Sequence, residues 1–130
     1  MPKDINVALL GLGSIGQQFT ASLTKHIAEG GKPINIVAVA ERDPDSAAAK
    51  ELEELGVPVY TDATEIVGLG DKVDIIFDLT GVPGVRKAMR DKLQELDNQH
   101  TVLVPEVFAR MLWLFLEDGV TLDVPLRSGY

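Results

Sequence analysis

The feature that constrains this chain most is a glycine-spaced turn near its N-terminus. The apolar run Ile5–Leu10 is followed by the pattern G-x-G-x-x-G at Gly11, Gly13 and Gly16, and a helical pattern begins at Ser14. This order predicts a strand, a tight turn and the start of a helix. We expect Gly11 to adopt backbone angles that a side chain would forbid.

Such a turn indicates a site for two linked phosphates. Without a Cβ at Gly13, a pyrophosphate can approach the main chain, and the free N–H groups that open the helix direct the positive end of its dipole at the phosphates. Gly16 is expected to let the helix pack tightly on the strand. The alternative is a glycine turn needed for packing alone. The candidate cofactor-binding residues are Gly11, Leu12, Gly13, Ser14, Ile15 and Gly16.

Apolar runs at regular intervals predict further strands after the first. They are mostly apolar and β-branched, as expected for strands covered on both faces, and helical patterns alternate with them. The alternation predicts a single α/β domain over residues 1–130. We expect a doubly wound parallel sheet with three α-β-α layers and strand order 3-2-1-4-5. The predicted strands cover residues 34–40, 57–60, 73–79 and 101–104, with a candidate sixth at 120–124.

Local patterns also predict where several helices begin. Asp43 and Pro44 suit the N-cap and first position of the second helix. Residues 62–65, Asp-Ala-Thr-Glu, resemble a capping box that opens a brief helix. Gly119 is predicted to end the last helix.

Glu41 and Arg42 follow the second predicted strand, at the sheet edge where ligands bind in such folds. An acid at this position hydrogen-bonds the adenosine ribose of NAD and repels the 2′-phosphate of NADP, so we expect NAD, with NADP less favoured. Arg42 complicates this expectation, since a guanidinium can pair with a 2′-phosphate or stack on adenine. The alternative is that both residues are solvated loop charges.

Leu79, Thr80 and Gly81 end the fourth predicted strand, next to the first. Their backbone groups and the Thr80 hydroxyl are candidates to line the ribose or the second phosphate. The alternative is a plain strand-to-helix turn with Thr80 as N-cap. Asp78 is a candidate to bind a hydroxyl, or only to bond neighbouring backbone N–H groups.

The composition excludes several classes of partner and site. A net charge of −8 argues against nucleic acid and membrane as partners, because both need a basic surface. The chain has no cysteine, which excludes disulfides and thiolate metal sites, and we predict no metal site. His26 and His100 have no acid or thiol in the sequence at a spacing typical of a catalytic or metal site, so we expect surface or structural roles. The N-terminus runs straight into the first strand, so we expect no signal peptide and a cytoplasmic location.

The segment from 106 to 118 is apolar nearly all round, unlike a surface helix with one apolar stripe. Aromatic residues and methionine are typical of interface cores. We therefore expect a homo-oligomer, a dimer in the simplest case, that forms through this helix, with Trp113 at the contact. The alternative is a helix fully internal to the domain.

Three segments together resemble the N-terminal Rossmann cofactor domain of the glucose-fructose oxidoreductase/inositol dehydrogenase family and its homoserine-dehydrogenase-like relatives. They are residues 7–16 (VALLGLGSIG), 37–44 (VAVAERDP) and 73–81 (VDIIFDLTG). The resemblance implies that Gly11–Gly16, Glu41, Arg42 and Leu79–Gly81 contact NAD(P).

The chain departs from that family at the site of chemistry. The family carries a Glu-Lys-Pro motif after the fifth strand, whereas this chain reads Val-Pro-Glu-Val at 104–107, without the lysine. The family also needs a second domain, largely sheet, to hold the substrate, and residues 1–130 do not include one, so we can name no catalytic residue. The leading hypothesis is therefore a nucleotide-binding module that senses or carries NAD(H) without a complete active site. The alternatives are an oxidoreductase completed by another subunit or domain, and an interaction domain with a vestigial cofactor site.

Overall fold

Five short apolar segments form one parallel sheet in the order β3-β2-β1-β4-β5. The computed structural model describes residues 4–117. The strands are β1 (Ile5–Leu10), β2 (Ile34–Ala40), β3 (Val59–Tyr60), β4 (Ile75–Asp78) and β5 (Val102–Val104). The helices are α1 (Ser14–Gly30), α2 (Ala47–Glu54), α3 (Thr64–Val67), α4 (Pro83–Glu95) and α5 (Glu106–Leu116), with a 3-10 turn at Gly70–Lys72. The predicted doubly wound α/β fold and its strand order are confirmed.

The centre of the sheet is β1, which pairs in parallel with β2 on one side and β4 on the other. Its last residue, Leu10, is in register with Ala40 of β2 and Asp78 of β4. The carboxyl ends of the three strands therefore meet at one edge, where the strand order reverses direction. In open sheets of this kind, that reversal creates the crevice in which ligands bind.

Helices cover both faces of the sheet, each over its own hydrophobic cluster. On one face, α1, α2 and α5 contribute Phe19, Leu52 and Ala109 to the cluster. The Phe19 ring lies 5.2 Å from that of Phe77 on β4, measured between centroids. On the other face, α3 and α4 contribute side chains such as Ile66 and Met89. Because both faces are covered, strand residues of either orientation are buried, which explains the near-continuous apolar runs.

The predicted start of α2 is wrong. Asp43 does not cap a helix, because its carboxylate closes a turn by accepting from the N–H of Asp45, 3.1 Å away. The N-cap is Ser46, whose hydroxyl oxygen accepts from the N–H of Ala49 at 3.2 Å. The helix therefore begins three residues after Pro44, which lies in the turn.

The predicted brief helix after β3 exists as α3, but its capping box does not. The Asp62 carboxylate accepts from both the N–H and the hydroxyl of Thr64, two residues on, at 2.9 and 2.8 Å. A capping box requires the N–H three residues on. Thr80 is likewise not the N-cap of α4, since Val82 occupies that position and Pro83 follows at the first helical position.

Helix α5 has two different faces. Ala109 is buried, and Leu112, Trp113 and Leu116 pack against the core. The alternative of a fully internal helix is therefore wrong, and Trp113 lies against the core and not on the open face. The exposed apolar face consists of Val107, Phe108, Met111, Leu114 and Phe115. Asp118, Gly119 and the candidate strand at 120–124 lie outside the described residues.

Over residues 4–117, no helix combines the length and the apolar character that crossing a bilayer requires.

The end of α5 is attached to α1 by polar contacts at Glu117. Its Oε2 accepts from the Ser22 hydroxyl at 2.5 Å and lies 3.2 Å from His26 Nε2. These hydrogen bonds, from Ser22 first and then His26, hold the pKa of Glu117 below its ordinary value. His26 therefore has a structural role, and His100 has one too, 2.5 Å from the Asp74 carboxylate.

We expect Ser22→Ala to raise the pKa of Glu117, because the larger of its two hydrogen bonds is lost. A carboxyl group with a lowered folded-state pKa stabilises the fold above its unfolded pKa, and that contribution disappears as the pH falls through the folded value. The stability lost in Ser22→Ala should therefore be larger at pH 7 than at acidic pH. Carboxyl NMR titration and urea unfolding measure both effects. Thr24→Ala is the control, since Thr24 takes no part in these hydrogen bonds, and an unchanged Glu117 pKa in Ser22→Ala would contradict the expectation.

Candidate functional site

The glycine turn between β1 and α1 is held closely against its neighbours. Gly11 has φ +93°, in the region that favours glycine, and its N–H donates to the Ala40 carbonyl at 2.8 Å. A Cβ at Gly11 would lie 3.2 Å from the Thr80 Cα. The turn is therefore wedged between the ends of β2 and β4, as the G-x-G-x-x-G pattern predicts for its first glycine.

Gly13 and Gly16 differ in the space around them. A Cβ at Gly16 would lie 2.0 Å from the carbonyl oxygen of Gly11, which is impossible without movement of the backbone. A Cβ at Gly13 would meet no atom within 4 Å. Gly16 is thus required for packing of the helix against the turn, whereas Gly13 borders open space.

The N-terminus of α1 faces this open space without a side-chain cap. The N-cap residue is Gly13, which has no side chain that could accept from the first N–H groups of the helix. The helix is 17 residues long, so the positive end of its dipole is fully developed at the first turn. Its first N–H groups are the donors that anions bind at helix N-termini.

Glu41 is fixed beside the glycine turn by both of its oxygens. Oε1 accepts from the Leu12 N–H and Oε2 from the Asp43 N–H, each at 2.9 Å. The alternative of a solvated loop charge is therefore wrong for Glu41, while Arg42 is exposed. The carboxylate connects the end of β2 to the turn after β1, two segments that are 29 residues apart.

The end of β4 carries a chain of hydrogen bonds that leads into a buried carboxylate. The Val82 N–H donates to Thr80 Oγ1 at 3.2 Å, and the Thr80 hydroxyl donates to Asp78 Oδ1 at 2.7 Å. The Thr80 N–H donates to the same oxygen at 3.1 Å. Asp78 is completely buried. Of the two expectations for Asp78, a bond to a neighbouring backbone N–H is present at Thr80.

A cleft of about 600 Å³ opens at the carboxyl edge of the sheet, within the usual range for small-molecule sites of about 300–1,000 Å³. The residues that line it are Leu10, Gly11, Gly13, Ala40, Glu41, Arg42, Thr61, Asp62, Ala63, Thr64, Leu79, Thr80, Val82, Val85, Ala88 and Met89.

The cleft brings together six of the eleven predicted site residues from three separate segments: Gly11, Gly13, Glu41, Arg42, Leu79 and Thr80. The other five are outside its lining. The side chains of Leu12 and Ile15 are buried in the protein, so only their main chains can contribute. Gly16 is buried against the turn, Ser14 is exposed, and Gly81 has φ +68° in the turn after β4.

Sequence reasoning missed the segment 61–64, which forms one wall of the cleft after β3. A signal was available, since β3 ends at the same sheet edge as its neighbours. Asp62 in this wall has a pKa below its ordinary value, because the hydroxyl and the N–H of Thr64 donate to its carboxylate. It therefore adds a second acidic group to Glu41 in the lining, where Arg42 is the single basic residue among those the structure describes. Within 4–117, no group of three His, Cys, Asp or Glu side chains is placed to hold a metal ion.

Comparison with protein families matches residues 11–111 to the NAD-binding domain of homoserine dehydrogenase. The chain belongs to this family. The NAD-binding fold and the relationship to homoserine dehydrogenases are thereby confirmed, as is a nicotinamide dinucleotide as the class of cofactor. Assignment to the glucose-fructose oxidoreductase/inositol dehydrogenase family in particular is not supported. No curated protein matches the sequence significantly.

Solved homoserine dehydrogenases share the fold. The enzyme from Thiobacillus denitrificans is 23% identical over 90% of this chain, with a TM-score of 0.56. The S. aureus enzyme at pH 8.5 is 21% identical over 82% of this chain, with a TM-score of 0.51. The matches cover 27% and 33% of those chains, respectively. This chain therefore corresponds to about a third or less of their length.

The contrast between two glycines of the turn gives a stability test. In a helix, Gly→Ala normally stabilises by up to about 1 kcal/mol. Gly16→Ala should instead destabilise by about 1–3 kcal/mol or more, because its Cβ has no room beside the Gly11 carbonyl. Gly13→Ala is the matched control and should change stability by less than about 1 kcal/mol. Urea unfolding measures both variants, and equal stabilities would refute this account of the turn.

Proposed function

We propose that this domain binds NAD in the cleft at the carboxyl edge of its sheet. The observation that carries the proposal is the open space above Gly13, at the uncapped N-terminus of α1. A pyrophosphate placed there accepts hydrogen bonds from main-chain N–H groups and meets the positive end of the helix dipole. The cofactor contacts come from Gly11–Gly16, Glu41 and Arg42, and Leu79–Gly81. Of these, Leu12, Ile15 and Gly16 act through their main chains.

The charges around the adenosine side favour NAD over NADP. The Glu41 carboxylate uses one lone pair of each oxygen on the protein, and a carboxylate accepts about four hydrogen bonds. It therefore retains acceptor capacity for ribose hydroxyls. Glu41 and the ionised Asp62 line the same cleft, and both repel an added 2′-phosphate. Arg42 opposes this effect, but Arg42 and Asp62 are both exposed and screened by solvent. The half-buried Glu41 therefore carries most of the expected discrimination.

We further propose that the domain binds the cofactor without a complete active site of its own. Hydride transfer needs an oriented substrate and usually a nearby proton donor or acceptor. Among residues 4–117, the lining of the cleft contains no lysine or histidine. A cofactor-loaded module that senses or carries NAD(H) is consistent with these residues. When bound, the nicotinamide ring supplies hydride chemistry.

The alternative is an oxidoreductase whose site is completed by another domain or subunit. The short coverage of the homoserine dehydrogenases, 27% and 33% of their chains, favours this alternative. An assay of homoserine with NAD or NADP, on the protein isolated from its native source with any additional domain or subunit still attached, separates the two proposals. Reduction of the cofactor would support an enzyme, and binding without turnover would support a module.

Isothermal titration of the domain with NAD, NADH and NADP tests the cofactor proposal. We expect saturable binding of NAD(H), with NADP weaker by about tenfold, which corresponds to about 1.4 kcal/mol of repulsion. Gly13→Val should weaken every dinucleotide by about 100-fold or more, because its side chain occupies the phosphate position. It should leave the fold intact, since the position borders open space. No binding to the wild-type domain at millimolar cofactor, or unchanged affinity in Gly13→Val, would refute the site.

We also propose that the exposed face of α5 pairs two copies of the chain. Phe108, Met111 and Phe115 follow one another at i, i+3 and i+7, the spacing of a helix-pairing seam. A two-fold axis places such a stripe against itself. Each copy carries a net charge of −8, which opposes association elsewhere on the surface. Between 107 and 116 the only charged residue is Arg110.

Phe115→Glu should convert the dimer to a monomer in light scattering coupled to gel filtration. Phe115 is 79% exposed, so the substitution places a charge in the seam without disturbing the core. Leu55→Glu is the control, because Leu55 is an exposed apolar residue that follows α2, away from the seam. Trp113→Glu is unsuitable, since Trp113 packs against the core. A monomeric wild-type protein, or the same mass for Phe115→Glu and wild type, would rule out this interface.

A further inference from the structure

Asp78 is a completely buried carboxylate that the cofactor contacts proposed above do not use. Its Oδ1 accepts two hydrogen bonds from Thr80. Its Oδ2 is also buried and has no hydrogen-bond donor within the described part of the chain. No basic side chain of residues 4–117 forms a salt bridge with Asp78. A buried charge of this kind is costly unless something compensates for it.

The position of Asp78 in the sheet relates it to one end of the bound cofactor. It is the last residue of β4 and is in register with Leu10, the last residue of β1. It directly precedes Leu79 and Thr80, which line the cleft. In the proposed function, on which this inference rests, the adenosine lies over Glu41 and the pyrophosphate over Gly13. The nicotinamide nucleoside must then extend across the end of β4.

The two redox states of the cofactor differ in charge at this end. The nicotinamide ring of NAD⁺ carries a positive charge, and the ring of NADH is neutral. A carboxylate that is shielded from solvent attracts such a charge with little screening. The charged lining residues Glu41, Arg42 and Asp62 follow β2 and β3, on the opposite side of β1 from β4, so none of them belongs to the end of the cleft where the ring is placed.

We propose that Asp78 is a specificity-determining residue that makes the cleft prefer the oxidised cofactor, NAD⁺, over NADH. The residue acts through its buried charge, from beneath Thr80, and not by a direct bond to the ring. The expected preference is on the order of tenfold in dissociation constant. A binding module with this bias is loaded by oxidised cofactor and releases it on reduction.

The proposal is tested by measuring dissociation constants in direct titrations. NAD⁺, NADH and ADP-ribose are each titrated into wild type, Asp78→Asn and Thr80→Val. Asp78→Asn keeps the shape and removes the charge, so NAD⁺ should weaken about tenfold while NADH stays within about twofold. ADP-ribose lacks the nicotinamide ring and should bind wild type and Asp78→Asn equally. Thr80→Val is the matched control, because it removes the hydroxyl but retains the buried charge. It should change NAD⁺ and NADH affinities by the same factor.

The outcomes separate this inference from the proposed function. Failure of wild type to bind any of the three compounds refutes the binding site, and the inference with it. Binding of all three with the same NAD⁺-to-NADH ratio in wild type and Asp78→Asn overturns the inference alone. Equal affinities of wild type for NAD⁺ and NADH also overturn it, and this measurement remains decisive if Asp78→Asn does not fold.

Discussion

The contact on which this structure depends is the close approach of α1 to the turn after β1. The absence of a side chain at Gly16 allows the helix to rest on the Gly11 carbonyl, where a Cβ would lie 2.0 Å from the oxygen. The same turn bonds to Ala40 at the end of β2 and touches Thr80 at the end of β4. Three strand ends and one helix N-terminus therefore meet at one turn, and the cleft is the space left between them.

The cleft belongs to an acidic protein, yet its proposed ligand carries two phosphates. The described lining residues include one basic side chain, Arg42, and two acidic ones, Glu41 and Asp62. In the proposed complex, neutral N–H groups and a helix dipole therefore stabilise the phosphates, in place of lysine or arginine. The surrounding carboxylates then repel anions that lack this exact fit to the turn, which gives selectivity for a dinucleotide over simple phosphates.

Helix α5 has one face in the core and one face exposed to solvent. One face completes the core through Ala109, and its C-terminal end is attached to α1 by Glu117, which bonds to Ser22 and His26. The other face carries apolar side chains in open solvent. Of these side chains, Phe108 still contacts the core, with its ring 6.2 Å from that of Phe77 between centroids. The proposed pairing of two copies would cover this face.

The sequence by itself determined the alternation of strands and helices, the strand order, and six of the residues around the cleft. Apolar periodicity and a turn that requires glycine are local properties, so they can be read from neighbouring residues. Helix starts were less certain, because Asp43 and Ser46 are both good caps and only one of them closes its own turn. Of the resemblance stated from the sequence, the part that named homoserine-dehydrogenase-like relatives is confirmed.

Only the tertiary structure decided which side chains are covered and what they bond to. Ser22 and Glu117 are 95 positions apart, and Leu12 and Glu41 are 29 apart. The burial of Asp78, the wall formed by 61–64 and the two faces of α5 arise in the same way. The physical reason is that burial and hydrogen bonding depend on which distant segments the fold places side by side, and no local pattern contains that information.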